Sequence, residues 1–314
     1  MLKMDEIIEQ EKEENINDSP NAELSFDDIP PIQETNDNSA IIIKSDSENH
    51  KYFYTEIMST AGPRKSFKED AHEGDFDLGE DVVGCFTKKD KTYFWLLDGT
   101  SDNPVFKTTD GTELFSSRLL AQEVAWHIQK ALWNNEKEEL NSEDILKSSF
   151  EDIQKNWKEK FDKLSESDNQ ILAEILKDRK QMLVSTTVIF GIIDLNGHLD
   201  VGQIGDSYII TKPAQEFKEN TGRLFVIASK TENNDSIKIE LNPFEDTRCQ
   251  HYKCDNIKTI IAASDGISKN TIKWLNILPN VELRNENLRK TISAVKQKTC
   301  DDKAVCIIQI CEDV

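Results

Sequence analysis

The chain has 314 residues, enough for one large domain or two ordinary ones, with 37% hydrophobic and 31% charged residues. Its formal net charge of −21 repels phosphate backbones and anionic lipid, which argues against nucleic-acid and membrane-surface partners. No apolar run nears the ~20 residues that span a bilayer, the first residues lack the basic and apolar parts of a leader, and the six cysteines form no Cys-x-x-Cys pair, so a cytoplasmic setting with reduced thiols is expected.

Residues 1–48 are rich in Glu, Asp, Asn and Ser, carry Pro30-Pro31 and show little sustained periodicity. Too little apolar side chain is present there to offset chain entropy. A disordered acidic arm is expected, acting either as an inert tail or as a docking or substrate-mimicking segment. Residues 49–314 are expected to form the folded domain.

Around the start of that domain, Ile41-Ile42-Ile43, Tyr52-Phe53-Tyr54, Val82–Phe86 and Tyr93–Leu97 have the β-branched and aromatic character of strands. Three helical stripes follow at three- and four-residue steps: Leu114 to Leu132, Leu146 to Leu164, and Ile171 to Leu176. Each gives a single apolar face, so these helices cover a sheet. Strands resume at Val184–Asp194 and Leu199–Ile204, with Asn196-Gly197 between them as a hairpin signal of type I′. Further strands are expected at Tyr208–Thr211, Leu224–Ala228, Thr259–Ala263 and Ala304–Ile310, and helices at Asn270–Leu278 and Glu286–Lys298. The polar stretch at about 212–257 reads as a surface insertion. Strands and helices do not alternate regularly, which favours antiparallel sheets with helices packed outside, an α+β arrangement.

Several acidic residues stand at strand ends: Glu69-Asp70, Asp98-Gly99, Gly205-Asp206-Ser207, Ser264-Asp265-Gly266 and Asp301-Asp302. A carboxylate at the end of a buried strand is held rigidly and can still point into a cleft. Several of them converging would repel one another unless cations lay between them. Oxygen-only donors suit Mg²⁺ or Mn²⁺ rather than zinc. Taken singly, an Asp-Gly pair reads as a plain turn.

As an ordered set, these segments resemble the metal-dependent protein phosphatases of type 2C, in a divergent, bacterial-type form. The similarity rests on Ser59–Arg64 with Lys68–His72, Phe94–Gly99, Val184–Val188, Gly205–Ser207, Ala263–Ile267 and Cys300–Val305, and runs from about residue 52 to 311. It implies a four-layer α-β-β-α sandwich, with two antiparallel sheets flanked by helices. It implies two divalent cations, Mn²⁺ or Mg²⁺, bridged by Asp98, with the Gly99 carbonyl, Asp265 and Asp301 completing the shell of one. Glu69 and Asp70 would hold water and metal on the other side, and Arg64 would clamp the substrate phosphate through paired N–H donors. The activity implied is hydrolysis of phosphoserine and phosphothreonine in proteins by metal-activated water, with a phosphoprotein and a cognate Ser/Thr kinase as partners. Three positions depart from the family pattern. Thr100 replaces the His that protonates the leaving oxygen, Tyr208 replaces Arg, and Lys269 stands where some relatives place another Asp. Asp206 is then a structural turn residue rather than a ligand. The competing reading is a catalytically silent phosphatase-like interaction module.

Overall fold

The computed structural model describes residues 40–43, 51–60, 79–100, 106–134, 141–179, 181–230, 237–276, 286–287, 290 and 302–312. The chain divides into two units, Met1–Thr35 and Asn36–Val314, and every described residue belongs to the second. Most of the expected acidic arm and helix 286–298 lie outside the described residues. So do Arg64, Glu69, Asp70 and Asp301.

The first sheet has five antiparallel strands: β1 (Ala40–Ile43), β2 (Lys51–Thr60), β15 (Lys303–Glu312), β14 (Thr259–Ala263) and β10 (Tyr208–Lys212), in that spatial order. Ala40 pairs with Glu56 and Ile43 with Phe53, so the sheet begins ahead of residue 49. The second sheet runs β13 (Gln250–Cys254), β9 (Leu199–Ile204), β8 (Val188–Asp194), β4 (Lys91–Leu97) and β3 (Val82–Lys88), again antiparallel. A three-stranded sheet joins β12 (Ile237–Leu241), β11 (Leu224–Lys230) and β7 (Gln181–Thr186), and β5 (Phe106–Lys107) pairs with β6 (Glu113–Phe115). The helices are α1 (Ser117–Asn134), α2 (Ser142–Asp162), α3 (Glu166–Arg179) and α4 (Lys269–Asn276). No helix among the described residues is long and apolar enough to cross a membrane.

Two-residue alternation explains how the sheets stack. Along β4, Phe94 and Leu96 enter one apolar cluster together with Ile189 and Val201 of the second sheet and Ala304, Cys306, Ile308, Ile260 and Ala262 of the first. That cluster fills the space between the two large sheets. The intervening residues Tyr93, Trp95 and Leu97 face the other way, onto Leu120 and Val124 of α1 and Phe150, Ile153 and Trp157 of α2. On the far side of the first sheet, Ile261, Ala263, Val305 and Ile307 meet Ile272 of α4. The α+β class with antiparallel sheets and outer helices is therefore observed.

Four local expectations are revised. The run 184–194 is not one strand: it breaks at Thr187, where the chain passes from the three-stranded sheet into the second large one. Leu114 belongs to β6, not to the first helix, because Ser116 Oγ accepts the Leu119 N–H at 3.0 Å and starts α1 one residue later. At the β8–β9 hairpin only Gly197 has positive φ, at +82°. There the Asp194 N–H reaches His198 O at 3.2 Å and Asp194 Oδ1 accepts the Asn196 N–H at 2.9 Å, a longer turn than type I′. The stretch 212–257 is more than an insertion: Ile237, Ile239 and Leu241 turn one face of β12 onto the helical core, and β13 extends the second sheet.

Candidate active site

Asp98 directly follows β4 and is 8% exposed. Its backbone is held on both sides by the break at Thr187. The Asp98 N–H donates to Thr187 Oγ1 at 3.1 Å, while its carbonyl accepts from the Thr187 N–H at 2.8 Å and from the Thr186 hydroxyl at 3.1 Å. Gly99 forms a β-bridge with Thr186, and the Thr100 N–H donates to Ser185 O at 3.1 Å. A single strand through 184–194 would have spent these groups on ladder bonds.

The Gly205-Asp206-Ser207 turn joins the same network. Ser207 Oγ lies 2.7 Å from Thr187 Oγ1. The buried Gln203 amide donates to the carbonyls of Gly205, at 3.2 Å, and Ser207, at 2.7 Å. The Asp206 carboxylate is paired with Arg223, whose Nη2 lies 2.9 Å from Oδ1 and 3.0 Å from Oδ2. A guanidinium against this carboxylate competes with any cation there, which suits a structural Asp206.

The loops of the first sheet interlock more tightly. Ser264 exchanges two bonds with Ala304: its N–H donates to Ala304 O at 3.0 Å and its Oγ accepts the Ala304 N–H at 2.9 Å. A Cβ on Gly266 would stand 1.8 Å from Asp302 O, so only glycine allows the 264–266 turn to lie against β15. Asp265, between them, is exposed. The Tyr208 hydroxyl donates to Ile267 O at 2.6 Å and clamps the turn from the other side. Burial, with the Asp265 charge adding to it, pushes the Tyr208 phenol up, which keeps that hydroxyl a donor. Lys269 Nζ lies 5.9 Å from the centroid of the Tyr208 ring. Two of the three departures from the family pattern therefore meet each other.

The two sets of loops are joined by residues the sequence reading did not single out. The Glu80 N–H donates to Asp302 Oδ2 at 2.5 Å. A Cβ on Gly99 would lie 2.9 Å from both Glu80 Cβ and Glu80 O. Val82 pairs with Leu97 at the end of the β3–β4 ladder, so Asp81 directly precedes and Asp98 directly follows that pair. Glu80 thus links Gly99, next to Asp98 of the second sheet, to Asp302, which in turn abuts Gly266 of the first. The signal was present: an acidic pair directly before β3, one hairpin away from Asp98.

Of the expected site residues, Asp98, Gly99 and Asp265 are described, and the contacts through Glu80 and Asp302 gather their loops at one end of the sheets. Arg64, Glu69, Asp70 and Asp301 lie outside the described residues. Among the described residues, no group of three or more His, Cys, Asp or Glu side chains is arranged to hold a metal ion. The expected ligands that are described, Asp98, Asp265 and the Gly99 carbonyl, are all oxygen donors, the donor class of Mg²⁺ and Mn²⁺. Thr100 Oγ1, at the position of the expected acid, sits 3.1 Å from both Ser117 Oγ and Ser185 Oγ and 3.2 Å from Ser185 O.

A family model described as "Protein phosphatase 2C" matches residues 70–303. No curated protein sequence matches the chain. Among solved structures, RsbX in complex with magnesium is similar at 12% identity and a TM-score of 0.49, over 86% of this chain and 100% of that one. The photosystem II phosphatase PBCP is similar at 14% identity and a TM-score of 0.48, over 82% and 98% of the two chains. A phosphatase from Toxoplasma gondii is similar at 11% identity and a TM-score of 0.45, over 85% and 98%.

Proposed function

Because the chain belongs to the protein phosphatase 2C family, we propose that it hydrolyses phosphoserine and phosphothreonine in proteins at the cluster built around Asp98. The observation that carries this reading is the linkage of Asp98-Gly99 to Gly266 and Asp302 through Glu80. It draws acidic loops from both large sheets into one neighbourhood. Asp98, the Gly99 carbonyl and Asp265 would hold the divalent cations, with Asp301 from the family pattern. For the remaining carboxylate position the family pattern offers Asp70, and Asp81, next to the Val82–Leu97 pair that ends the β3–β4 ladder, is the alternative. Bound Mn²⁺ or Mg²⁺ supplies charge neutralisation of the phosphate dianion and acidification of water.

What this chain's own residues contribute is position. Asp98 has both backbone groups tied to Thr186 and Thr187, so its carboxylate is presented with little reorganisation. Arg64 would bind the phosphate oxygens through paired donors. Thr100 cannot act as an imidazole acid. Its hydroxyl is engaged with Ser117 and Ser185, so the departing alkoxide takes its proton from water and turnover is slower than with a positioned acid. The partners would be a phosphoprotein and an opposing Ser/Thr kinase, in the cytoplasm.

The test is release of phosphate from phosphoSer, phosphoThr and phosphoTyr peptides with Mn²⁺, for wild type, Asp98→Asn and Asp265→Asn. Turnover of the first two peptides that disappears in both variants supports the reading. The engagement of Thr100 also favours a second reading, a catalytically silent module. Calorimetric Mn²⁺ binding with equally inert wild type and variants would establish that instead. Comparing Asp81→Asn with Asp70→Asn decides between the two acidic pairs.

A further inference from the structure

Cys85 on β3 and Cys306 on β15 belong to different sheets, yet Cys306 lies in the apolar cluster between those sheets and Cys85 packs against the same cluster. The sheets pinch together at this edge, where Cα atoms of β3 come within 8 Å of β15 and of β2. Cys85 is half-buried and Cys306 is 1% exposed within the inter-sheet core. One sulfur can therefore meet a small solute, and the other waits behind it.

We propose that Cys85 and Cys306 form a reversible disulfide driven by hydroperoxides. The Cys85 thiolate attacks a peroxide oxygen and the O–O bond breaks, giving a Cys85 sulfenic acid and an alcohol or water. Cys306 then attacks the Cys85 sulfur. The S–S bond forms, the S–O bond breaks, and hydroxide leaves as water with the proton from Cys306. The two sulfurs give up two electrons in total, and the peroxide accepts them.

The surroundings favour this order of events. Donation from the Cys306 thiol lowers the Cys85 pKa, burial opposes it, and the Thr55 hydroxyl adds to the lowering. The bond with Cys85 and burial together push Cys306 up well above the usual thiol range, so it stays protonated until the sulfenic acid forms. Elsewhere, burial pushes Cys249 up to about 12 and also raises Cys254. Of these four cysteines, Cys85 is the one whose pKa is lowered. The disulfide would tie the strand that follows Glu80-Asp81 to the strand that follows Asp302, so the thiol state of the core bears on the loops around Asp98.

The experiment treats the folded full-length chain with hydrogen peroxide and maps its peptides by mass spectrometry, with and without dithiothreitol. The expected product is a Cys85–Cys306 linked peptide pair lacking two hydrogens, abolished by Cys85→Ser and by Cys306→Ser and reversed by dithiothreitol. Dimedone should label Cys85 in Cys306→Ala, with circular dichroism showing that the variant is folded. If Cys306→Ala does not fold, dimedone added to wild type at short times replaces it, and the same Cys85 adduct is expected. Absence of the linked pair, oxidation confined to other cysteines, or a Cys85 sulfenic acid that never engages Cys306 overturns the proposal.

Discussion

Two polar regions lie inside this fold and are built on opposite plans. Around Asp98 the supporting groups are neutral. Thr100, Ser117, Ser185, Thr186, Thr187, Gln203 and Ser207 exchange short hydrogen bonds with one another and with the backbone. Between α1 and α2 the groups are ionisable and less well matched. Glu123, 0% exposed, is paired with Lys160. His127, 4% exposed, has neither ring nitrogen hydrogen-bonded, and its Nδ1 lies 3.6 Å from Asp152. Neutral hydroxyls fix backbone at little desolvation cost, whereas buried charges are expensive unless each is fully compensated. The first region holds the site in place; the second is a reservoir of instability in the helical layer.

The sharpest break in that comparison comes from the site. Gly266→Ala should abolish most phosphatase activity, since a methyl group 1.8 Å from Asp302 O forces the Asp265 turn off β15, with a stability loss of about 1–3 kcal/mol from the strain. Activity and a denaturation midpoint measured together check it. Retained activity would show that the turn does not position the site.

In the helical layer, Lys160→Met should cost about 3–5 kcal/mol by leaving Glu123 buried without its cation. The double variant Glu123→Leu with Lys160→Met should recover most of that loss in urea unfolding. Failure to recover would mean the pair is net stabilising.

The histidine gives a pH signature. Burial lowers the His127 pKa from 6.5 to about 4, opposed by the Asp152 charge, with Lys130 and Lys160 adding to the lowering. The unfolded chain then binds more protons than the folded one between about pH 4 and 6.5, so stability rises with pH there and is lost as pH falls through that window, by roughly 3 kcal/mol. Burial raises the Glu123 pKa against the Lys160 charge, and this acts with the opposite sign, removing stability as pH rises through its folded value. His127→Phe should flatten the acid limb of a stability–pH curve. The smallest effect is expected from Tyr208→Phe, which loses the bond to Ile267 O: about 1 kcal/mol of stability and a modest fall in turnover.

The sequence shows one of these regions far better than the other. Asp98-Gly99, Ser185–Thr187 and Ser264–Gly266 are short motifs at strand ends, visible because the strands around them alternate or run apolar. Glu80-Asp81 carries no family motif in the sequence, whereas Glu69-Asp70 is followed by Ala71-His72, which resembles the family. The nearness of Glu80 to Asp98-Gly99 shows only in the three-dimensional contacts, with Val82 opposite Leu97 and Glu80 against Gly99. The break at Thr187 was equally hidden, because 184–194 is uniformly strand-like and the reason to bend lies in hydrogen bonds to Asp98. In the helical layer, Glu123 and His127 sit one turn apart on the buried side of α1, but their partners come from α2. A helical repeat marks the buried face and is silent about which charges will meet there.

Strand β15 lies between β2 and β14, pairing Lys303 with Thr60 and Glu312 with Lys51. The first long strand of the domain is thus completed by its last. On a ribosome the acidic loops could not assemble until residue 312 had emerged, because Asp302 and the inner strand of that sheet arrive together. Such distant pairing carries a high entropic barrier and favours slow folding. Until then the inner edges of β2 and β14 await their partner strand, and open strand edges on a growing chain invite aggregation before the site can assemble.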